Sequence, residues 1–151
     1  NKELIMKKTY TKNFDENCLF CKIANHVIPS SILFEDDDVL AFLDINPVTY
    51  GHALVISKAH YETFLSCPRD ILEKVMNVSQ RIGQIAIKIL GAKGVNILTN
   101  CYPASGQEIP HFHVHVIPRY EANDKFKIEM KDHLKGLNLP QIAEEIRKDL
   151  Q

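Results

Sequence analysis

The stretch HFHVHVIPRY, residues 111–120, contains three of the chain's seven histidines, at the alternate positions His111, His113 and His115. The residues between them are apolar. Because successive side chains of a β-strand point to opposite faces of a sheet, this stretch predicts a strand with three imidazoles on one face and an apolar face that packs against a helix. Packing alone does not select three histidines on one face, so we interpret that face as functional.

The segments around this strand predict an α+β fold. A short helix begins near the CLFC motif and ends before Pro29. Apolar residues recur every three or four positions from Ile71 to Leu90, directly before Gly91, which predicts a long amphipathic helix with a glycine cap. A weaker helical pattern follows at Leu139–Leu150. Four further strands are predicted in the segments SILF, VLAFLD, HALVIS and VNILTN.

Length and charge indicate one compact domain. The chain has 151 residues and a formal net charge of -1, which gives no general attraction to nucleic acid or to an anionic membrane. We interpret residues 1–14 as a flexible N-terminal arm and residues 15–151 as a single domain with a C-terminal helical tail. Neither an apolar run of roughly 20 residues nor a signal peptide is recognisable. We therefore expect a cytoplasmic protein without a nucleic-acid or membrane partner.

Three interpretations of the histidine line are open. The histidines could be structural residues, or they could bind a metal together. A strand places the outer pair about 13 Å apart at Cβ, however, so that all three on one zinc ion would be strained. The third interpretation is nucleophilic and acid/base chemistry on a phosphorus ester, because imidazole titrates near neutral pH and is a good nitrogen nucleophile.

The CLFC motif places Cys18 and Cys21 two residues apart. Such a pair can ligate one metal ion, form a redox pair or remain as two free thiols. The pair begins a helix and lacks the Trp or Pro context of a redox motif, which favours zinc. Two further ligands are then required, and spacing alone does not reveal them.

Two long segments resemble a known family. HFHVHVI is similar to the histidine-triad (HIT) signature. The segments CLFCKIANHVIPSSILFEDDDVLAFLDINPVTYGHALVISKAH and NILTNCYPASGQEIPHFHVHVIPRY resemble the two halves of a HIT domain of the Hint type, from about Asn17 to Tyr120. The resemblance implies a five-stranded antiparallel sheet with a long helix and a short N-terminal helix. It also implies a homodimer in which two sheets form one of ten strands, and the long helix is the expected interface element.

The resemblance also implies an activity. HIT proteins of this kind are nucleotide hydrolases and transferases that act at the α-phosphate of substrates such as purine nucleoside phosphoramidates or adenylylated compounds. By this analogy His113 attacks phosphorus and forms a covalent nucleotidyl-histidine, His115 contacts the phosphate oxygens, and His52 lines the same pocket. A backbone carbonyl at His111 fixes the tautomer of the nucleophile. The chemical step itself requires no metal.

Residues of a nucleotide site are implied by the same resemblance. Asp44 and Ile45 correspond to a ribose-contacting pair, and Asn100, Gly106 and Gln107 correspond to phosphate contacts. The residues of an apolar slot for the base, for which an ordinary core role is the alternative, are Leu19, Phe20, Ile23, Ile28 and Phe42.

Zinc ligands follow from the resemblance as well. In bacterial-type HIT proteins that carry this CxxC, a structural zinc ion has ligands that match Cys18, Cys21, His60 and His111. The family often has Ser or Thr after the glutamine, where this chain has Glu108. A carboxylate near the leaving group leaves the leaving group and the rate open.

Two alternative functions remain at the level of sequence. One is a dinucleoside polyphosphate hydrolase of the Fhit branch, whose triad also precedes Pro and Arg, as in VIPRY. The other is a nucleotide-binding protein with weak catalysis, for which Glu108 is the motivating residue.

Overall fold

The computed structural model describes residues 9–121, 124 and 135–150. Its helices and strands follow the predicted order. In chain order they are α1 (Leu19–Ala24), β1 (Ile32–Glu35), β2 (Val39–Leu43), β3 (Ala53–Ser57), α2 (Arg69–Lys88), β4 (Gly94–Leu98), β5 (His113–Arg119) and α3 (Leu139–Leu150), with short 3₁₀ turns at Phe64–Ser66 and Pro103–Ser105. No helix within these ranges is both long and apolar enough to cross a membrane.

The five strands form one antiparallel sheet in the order β1-β2-β3-β5-β4. The predicted α+β class and five-stranded antiparallel sheet are therefore confirmed. Strand β5 lies between β3 and β4, so the histidine strand is inside the sheet and not at its edge. Both of its edges are therefore hydrogen-bonded to a neighbouring strand, which fixes the backbone that carries His113 and His115.

Alternation divides the sheet into two faces. One face packs against α2 in a buried core that includes Val55, Val114 and Val75. The other packs against α1 in a second core formed around Leu40, Phe42, Leu54 and Ile56. Cross-strand partners share a face, and Leu54 pairs with His115 while Ile56 pairs with His113. Both imidazoles therefore lie on the α1 face, opposite the long helix.

His111 differs from the prediction because it lies before the strand. The β5 strand begins at His113, and the N–H of His111 donates to the carbonyl of Ile109 at 2.8 Å, within a tight turn. The N–H of Phe112 donates instead to the carbonyl of Tyr61, outside the sheet. The prediction of one strand carrying all three histidines is wrong for His111. Its backbone is diverted toward the segment around His60.

The N-terminal segment and the last helix differ in how closely they contact the rest of the domain. Residues 1–8 of the predicted arm lie outside the described residues. From there on, the N–H of Thr11 donates to Asn25 Oδ1 at 3.0 Å, and the carbonyl of Lys12 accepts from the N–H of His60 at 2.9 Å. All the described side chains of α3 are exposed.

Candidate functional site

A cavity of about 590 Å³ opens between α1, the end of β2 and the histidine face of the sheet. Most of the predicted nucleotide-site residues line it together. They are Leu19, Phe20, Ile23, Ile28, Phe42, Asp44, Ile45, Asn100 and Gly106, with His52, His113 and His115. The apolar members lie toward α1 and β2, whereas the imidazoles come from β5 and from the residue before β3. The cavity thus has an apolar end and a polar end.

One hydrogen bond fixes the proton of His113. Its Nδ1 lies 2.6 Å from the carbonyl oxygen of His111. A carbonyl can only accept, so Nδ1 carries the hydrogen and Nε2 keeps its lone pair. Burial lowers the pKa of His113, against the opposing effect of this hydrogen bond. The ring is also held edge-on by Phe20, with ring centroids 4.9 Å apart. The imidazole is consequently a neutral nitrogen nucleophile in a fixed orientation.

A second chain of contacts assigns the proton of His115. The N–H of Val48 donates to His52 Nδ1 at 3.1 Å, which requires a lone pair on that nitrogen. His52 Nε2 then carries the hydrogen and donates to His115 Nδ1, 2.9 Å away. His115 in turn has its hydrogen on Nε2. This chain of hydrogen bonds, which begins at the N–H of Val48, makes Nε2 of His115 a donor, whereas Nε2 of His113 is an acceptor.

Burial keeps this pair of imidazoles neutral. Burial, followed by the neighbouring His113 and His52, lowers the pKa of His115 to about 4. Burial also lowers the pKa of His52, against the opposing charge of Asp44, whose carboxylate is 3.7 Å from His52 Nε2. The polar end of the cavity therefore offers one nitrogen lone pair and one N–H group.

A second cluster lies behind His113. Cys18, Cys21, His60 and His111 each offer one ligand atom, and these atoms all lie within 4.8 Å of one another. The Nδ1 of His111 is 3.3 Å from Cys18 Sγ and 3.1 Å from His60 Nδ1, and Cys21 Sγ is 3.2 Å from His60 Nδ1. Around a tetrahedral zinc ion with bonds of about 2.1 and 2.3 Å, neighbouring ligand atoms lie about 3.4 to 3.8 Å apart. The donor set and its spacing fit zinc with a small expansion.

Proton placement in the cluster also fits a cation. His111 Nε2 donates to the carbonyl of Ser57 at 2.6 Å, which leaves the lone pair of Nδ1 facing the two sulfurs. Burial raises the pKa of the Cys21 thiol to about 12. A buried thiolate there therefore requires a compensating positive charge, which a metal ion provides.

His111 joins the cluster to the cavity. Its side chain faces Cys18 and Cys21, and its carbonyl holds His113. The two cysteines in turn flank Leu19 and Phe20, which line the apolar end of the cavity. The cluster is therefore attached to both ends of the same cavity.

Gln107 is the predicted site residue that the structure does not bring to the cavity. It is buried, its Oε1 accepts from the N–H of Tyr102 at 2.7 Å, and its Nε2 donates to the carbonyls of Glu62 and Ile109 at 2.8 and 3.1 Å. Both amide hydrogens are thus already used. In this arrangement Gln107 holds the loop that presents Asn100 and Gly106, and its amide has no hydrogen left for a phosphate oxygen.

Several contributors were missed at the level of sequence. The carbonyl of Ser57 and the N–H of Val48 orient two histidines, but backbone groups carry no signal in residue identity. Leu98 and Ile109 also line the cavity, and an apolar residue in a strand or loop cannot be distinguished by pattern from ordinary core. Glu108, which the sequence marks as a carboxylate near the leaving group, lines the cavity as well.

The arrangement of His111, His113 and His115 agrees with a comparison against family models, in which residues 25–122 match the HIT domain. The chain belongs to the HIT family. It is 37% identical to a HIT family protein from Bacillus anthracis whose crystal structure superposes with a TM-score of 0.83, covering 90% of this chain and 99% of that one. The predicted family is therefore confirmed by sequence and by fold.

Two further relatives bear on chemistry. Adenylylsulfatase HINT3 of Arabidopsis thaliana is 37% identical over 77% of this chain and 59% of its own length. A Zn-bound histidine triad family protein from Mycobacterium smegmatis is 36% identical, with a TM-score of 0.68, over 77% of this chain and 84% of that one. The family thus includes a Hint-type enzyme and a zinc-bound member.

Proposed function

We propose that this HIT protein is a nucleotide hydrolase or transferase that acts at the α-phosphate of purine nucleoside phosphoramidates or adenylylated substrates. The observation that carries the proposal is the hydrogen bond from His113 Nδ1 to the His111 carbonyl, because it directs the Nε2 lone pair into the cavity. The naming of a HIT relative as an adenylylsulfatase supports the same class of reaction.

The cavity supports binding of a nucleoside monophosphate unit. Phe20, Ile23 and Phe42 provide an apolar slot for a purine. The carboxylate of Asp44 in the same lining can accept hydrogen bonds from the two ribose hydroxyls. Burying the faces of a base against aromatic and aliphatic side chains is favourable, and the carboxylate supplies orientation. The α-phosphate then lies beside His113 and His115.

The reaction proceeds in two balanced steps. His113 Nε2 donates its electron pair to phosphorus, and the bond from phosphorus to the leaving nitrogen breaks with its pair on nitrogen, which takes up one proton from solvent. The nucleotidyl-imidazolium retains the Nδ1 hydrogen, and the His111 carbonyl stabilises its positive charge. Water then attacks phosphorus, the bond to His113 breaks, and one proton returns to solvent. Throughout, His115 Nε2 donates to a phosphate oxygen.

We also propose that Cys18, Cys21, His60 and His111 hold a structural zinc ion. When bound, zinc supplies a cross-link between α1, the segment after β3 and the turn before β5, and it compensates the buried thiolates. The zinc-bound mycobacterial relative supports this assignment. His113 and His115 then carry out the chemical step, and the metal takes no part in it.

A second copy of this chain is the proposed partner. Strand β4 is at the edge of the sheet and pairs only with β5 among the described strands. The apolar side chain of Ile97 in this strand is exposed, as are those of Ile85 and Ile87 in α2. An unpaired strand edge beside apolar side chains favours pairing with another sheet.

The proposal is tested by turnover of an adenosine phosphoramidate with an uncharged amine. We expect kcat of the His113→Ala variant to fall at least about 1,000-fold, because its nucleophile is removed. The control is His26→Ala, which removes a ring that pairs with Glu35 on the surface, and it should retain wild-type turnover. Alkaline quench and intact-mass measurement should show a nucleotide adduct in the wild type that is absent from His113→Ala.

Two other results would replace this function. Faster turnover of a diadenosine polyphosphate than of the phosphoramidate favours a dinucleoside polyphosphate hydrolase. Nucleotide binding without adduct or turnover favours a nucleotide-binding protein with vestigial catalysis.

A further inference from the structure

The charges around the cavity are unbalanced. Its described lining contains two carboxylates, Asp44 and Glu108, but neither lysine nor arginine. The remaining titratable groups of that lining are the three imidazoles, His52, His113 and His115. A site for polyphosphate normally offers fixed positive charges to the phosphate chain. This lining instead presents fixed negative charge.

The two carboxylates differ in their contacts with other residues of the protein. Asp44 Oδ1 accepts from the N–H of Asn46 at 2.8 Å, and its other oxygen lies 3.7 Å from His52 Nε2. Glu108 is exposed and makes no hydrogen bond or ion pair to any residue that the structure describes. Its carboxylate is therefore available to a ligand.

The backbone on both sides of Glu108 is fixed. Gln107 is anchored to the carbonyls of Glu62 and Ile109, and the N–H of His111 closes the following turn onto the same Ile109 carbonyl. Glu108 consequently projects from a braced loop and not from a free one. A charge held on a braced loop can discriminate between ligands, because less side-chain and loop ordering is required on binding.

The position of this loop indicates which part of a bound substrate lies next to Glu108. The base slot lies at α1 and β2, on the side of Phe20 and Phe42. Glu108 shares its loop with Gly106, where an added Cβ would lie 3.7 Å from Asn100 Nδ2 at the phosphate end. A substrate bound with its base in the slot and its phosphorus at His113 extends its leaving group toward this loop.

We infer that Glu108 is a specificity-determining residue that selects leaving groups bearing a positive charge. The substrate class is a nucleoside phosphoramidate whose amine carries a second, protonated amine, and polyphosphate leaving groups are disfavoured by the same carboxylate. This inference rests on the proposed function and specifies its substrate. It also gives the presence of Glu at position 108, in place of Ser or Thr, a physical consequence. A neutral Ser or Thr side chain there would not discriminate between leaving groups by their charge.

The expected size of the effect follows from exposure. An ion pair at a solvent-exposed position contributes up to about 1 kcal/mol, which corresponds to a ratio of about three- to fivefold in kcat/KM. The ratio should decrease as salt is added, because the Debye length falls to about 3 Å at 1 M. A purely structural role of Glu108 would not produce this salt dependence.

The experiment compares three adenosine phosphoramidates of equal length, made from 1,3-diaminopropane, butylamine and β-alanine, which carry a positive, a neutral and a negative tail. In the wild type at low salt, kcat/KM should decrease in that order. In Glu108→Gln the positive-to-neutral ratio should fall to about one, and in Glu108→Lys the order should invert. Glu73→Gln, on the exposed side of α2, is the matched control and should keep the wild-type ratios.

The outcomes separate this inference from the proposed function. If the wild type turns over none of the three compounds, the proposed function fails. If it turns over all three with ratios that Glu108→Gln and Glu108→Lys leave unchanged, the function stands and the role of Glu108 is overturned. Equal folding of the variants is checked by their thermal unfolding midpoints.

Discussion

The carbonyl oxygen of His111 accepts a hydrogen bond of 2.6 Å from His113 Nδ1, while the imidazole of the same His111 faces Cys18 and Cys21. One residue thus joins the proposed zinc site to the proposed nucleophile. The side chain and the carbonyl can be separated experimentally, because a substitution removes the first and retains the second.

The His111→Ala variant should therefore lose zinc and part of its activity. We expect bound zinc, measured by elemental mass spectrometry, to fall from one per chain toward zero. We expect kcat to fall about 10- to 100-fold, the usual effect of removing a residue that orients a reacting group through a second residue. Unchanged kcat in a zinc-free variant would show that the cluster does not position His113.

The thiols of the cluster should matter for stability. A chain with Cys18→Ser and Cys21→Ser has no soft ligands for the metal, and we expect its free energy of unfolding in urea to fall by more than about 3 kcal/mol relative to the zinc-loaded wild type. Cys101→Ser, a thiol outside the cluster, is the matched control and should change it by less than about 1 kcal/mol. Equal losses in both would contradict a structural metal site.

His52 should act through the proton that it gives to His115. In His52→Gln an amide N–H can reach the position of the lost Nε2–H, whereas in His52→Asn the shorter side chain can still accept from Val48 but cannot reach His115. We expect kcat to fall about tenfold more in the Asn variant than in the Gln variant, as the loss of one hydrogen bond to a reacting group predicts. Similar kcat values for the two would argue against the assigned tautomers.

Much of this fold follows from pattern alone. The β-branched apolar run in ALVIS, the alternation in HVHVI and the apolar period of α2 required no long-range information, and the structure has these elements within a few residues of their predicted ends. The start of β5 did not follow, because the N–H of Phe112 donates to the carbonyl of Tyr61, 51 positions away in sequence, instead of continuing the ladder.

The site was less accessible to sequence reasoning. Cys18 and Cys21 reveal themselves by spacing, but His60 and His111 join them only through the fold, 39 and 90 residues from Cys21. Gln107 has the chemistry of a phosphate ligand, yet the structure gives its amide hydrogens to Glu62 and Ile109. Side-chain type predicts what a residue can do, and its partners decide what it does.

The low pKa of His115 predicts how stability depends on pH. In the unfolded chain this histidine has a pKa near 6.5, and in the folded protein it is about 4. Between these values the unfolded state binds a proton that the folded state does not, so the free energy of unfolding falls as pH falls from 6.5 toward 4. In His115→Gln this fall should be smaller by on the order of 1 kcal/mol, a value reduced for partial solvent screening.

Urea unfolding of the wild type and of His115→Gln across this pH range measures the difference directly. Because acid also protonates the thiolates of a zinc-loaded cluster in both proteins, only the difference between the two curves reports on His115. Parallel curves would contradict a buried neutral imidazole at this position.

The edge of β4 gives a prediction about assembly. An added Cβ at Gly83 of α2 would lie 3.8 Å from Ile97 Cδ1, so Ile97 is on the α2 face of β4, where it is 45% exposed. If two chains pair through this edge, a buried carboxylate there would be unpaired and costly. We expect Ile97→Asp to shift sedimentation velocity from dimer to monomer, whereas Leu65→Asp, at an exposed apolar residue of the 3₁₀ turn before α2, leaves the dimer intact. A dimer in Ile97→Asp, or a monomeric wild type at micromolar concentration, would contradict assembly through β4.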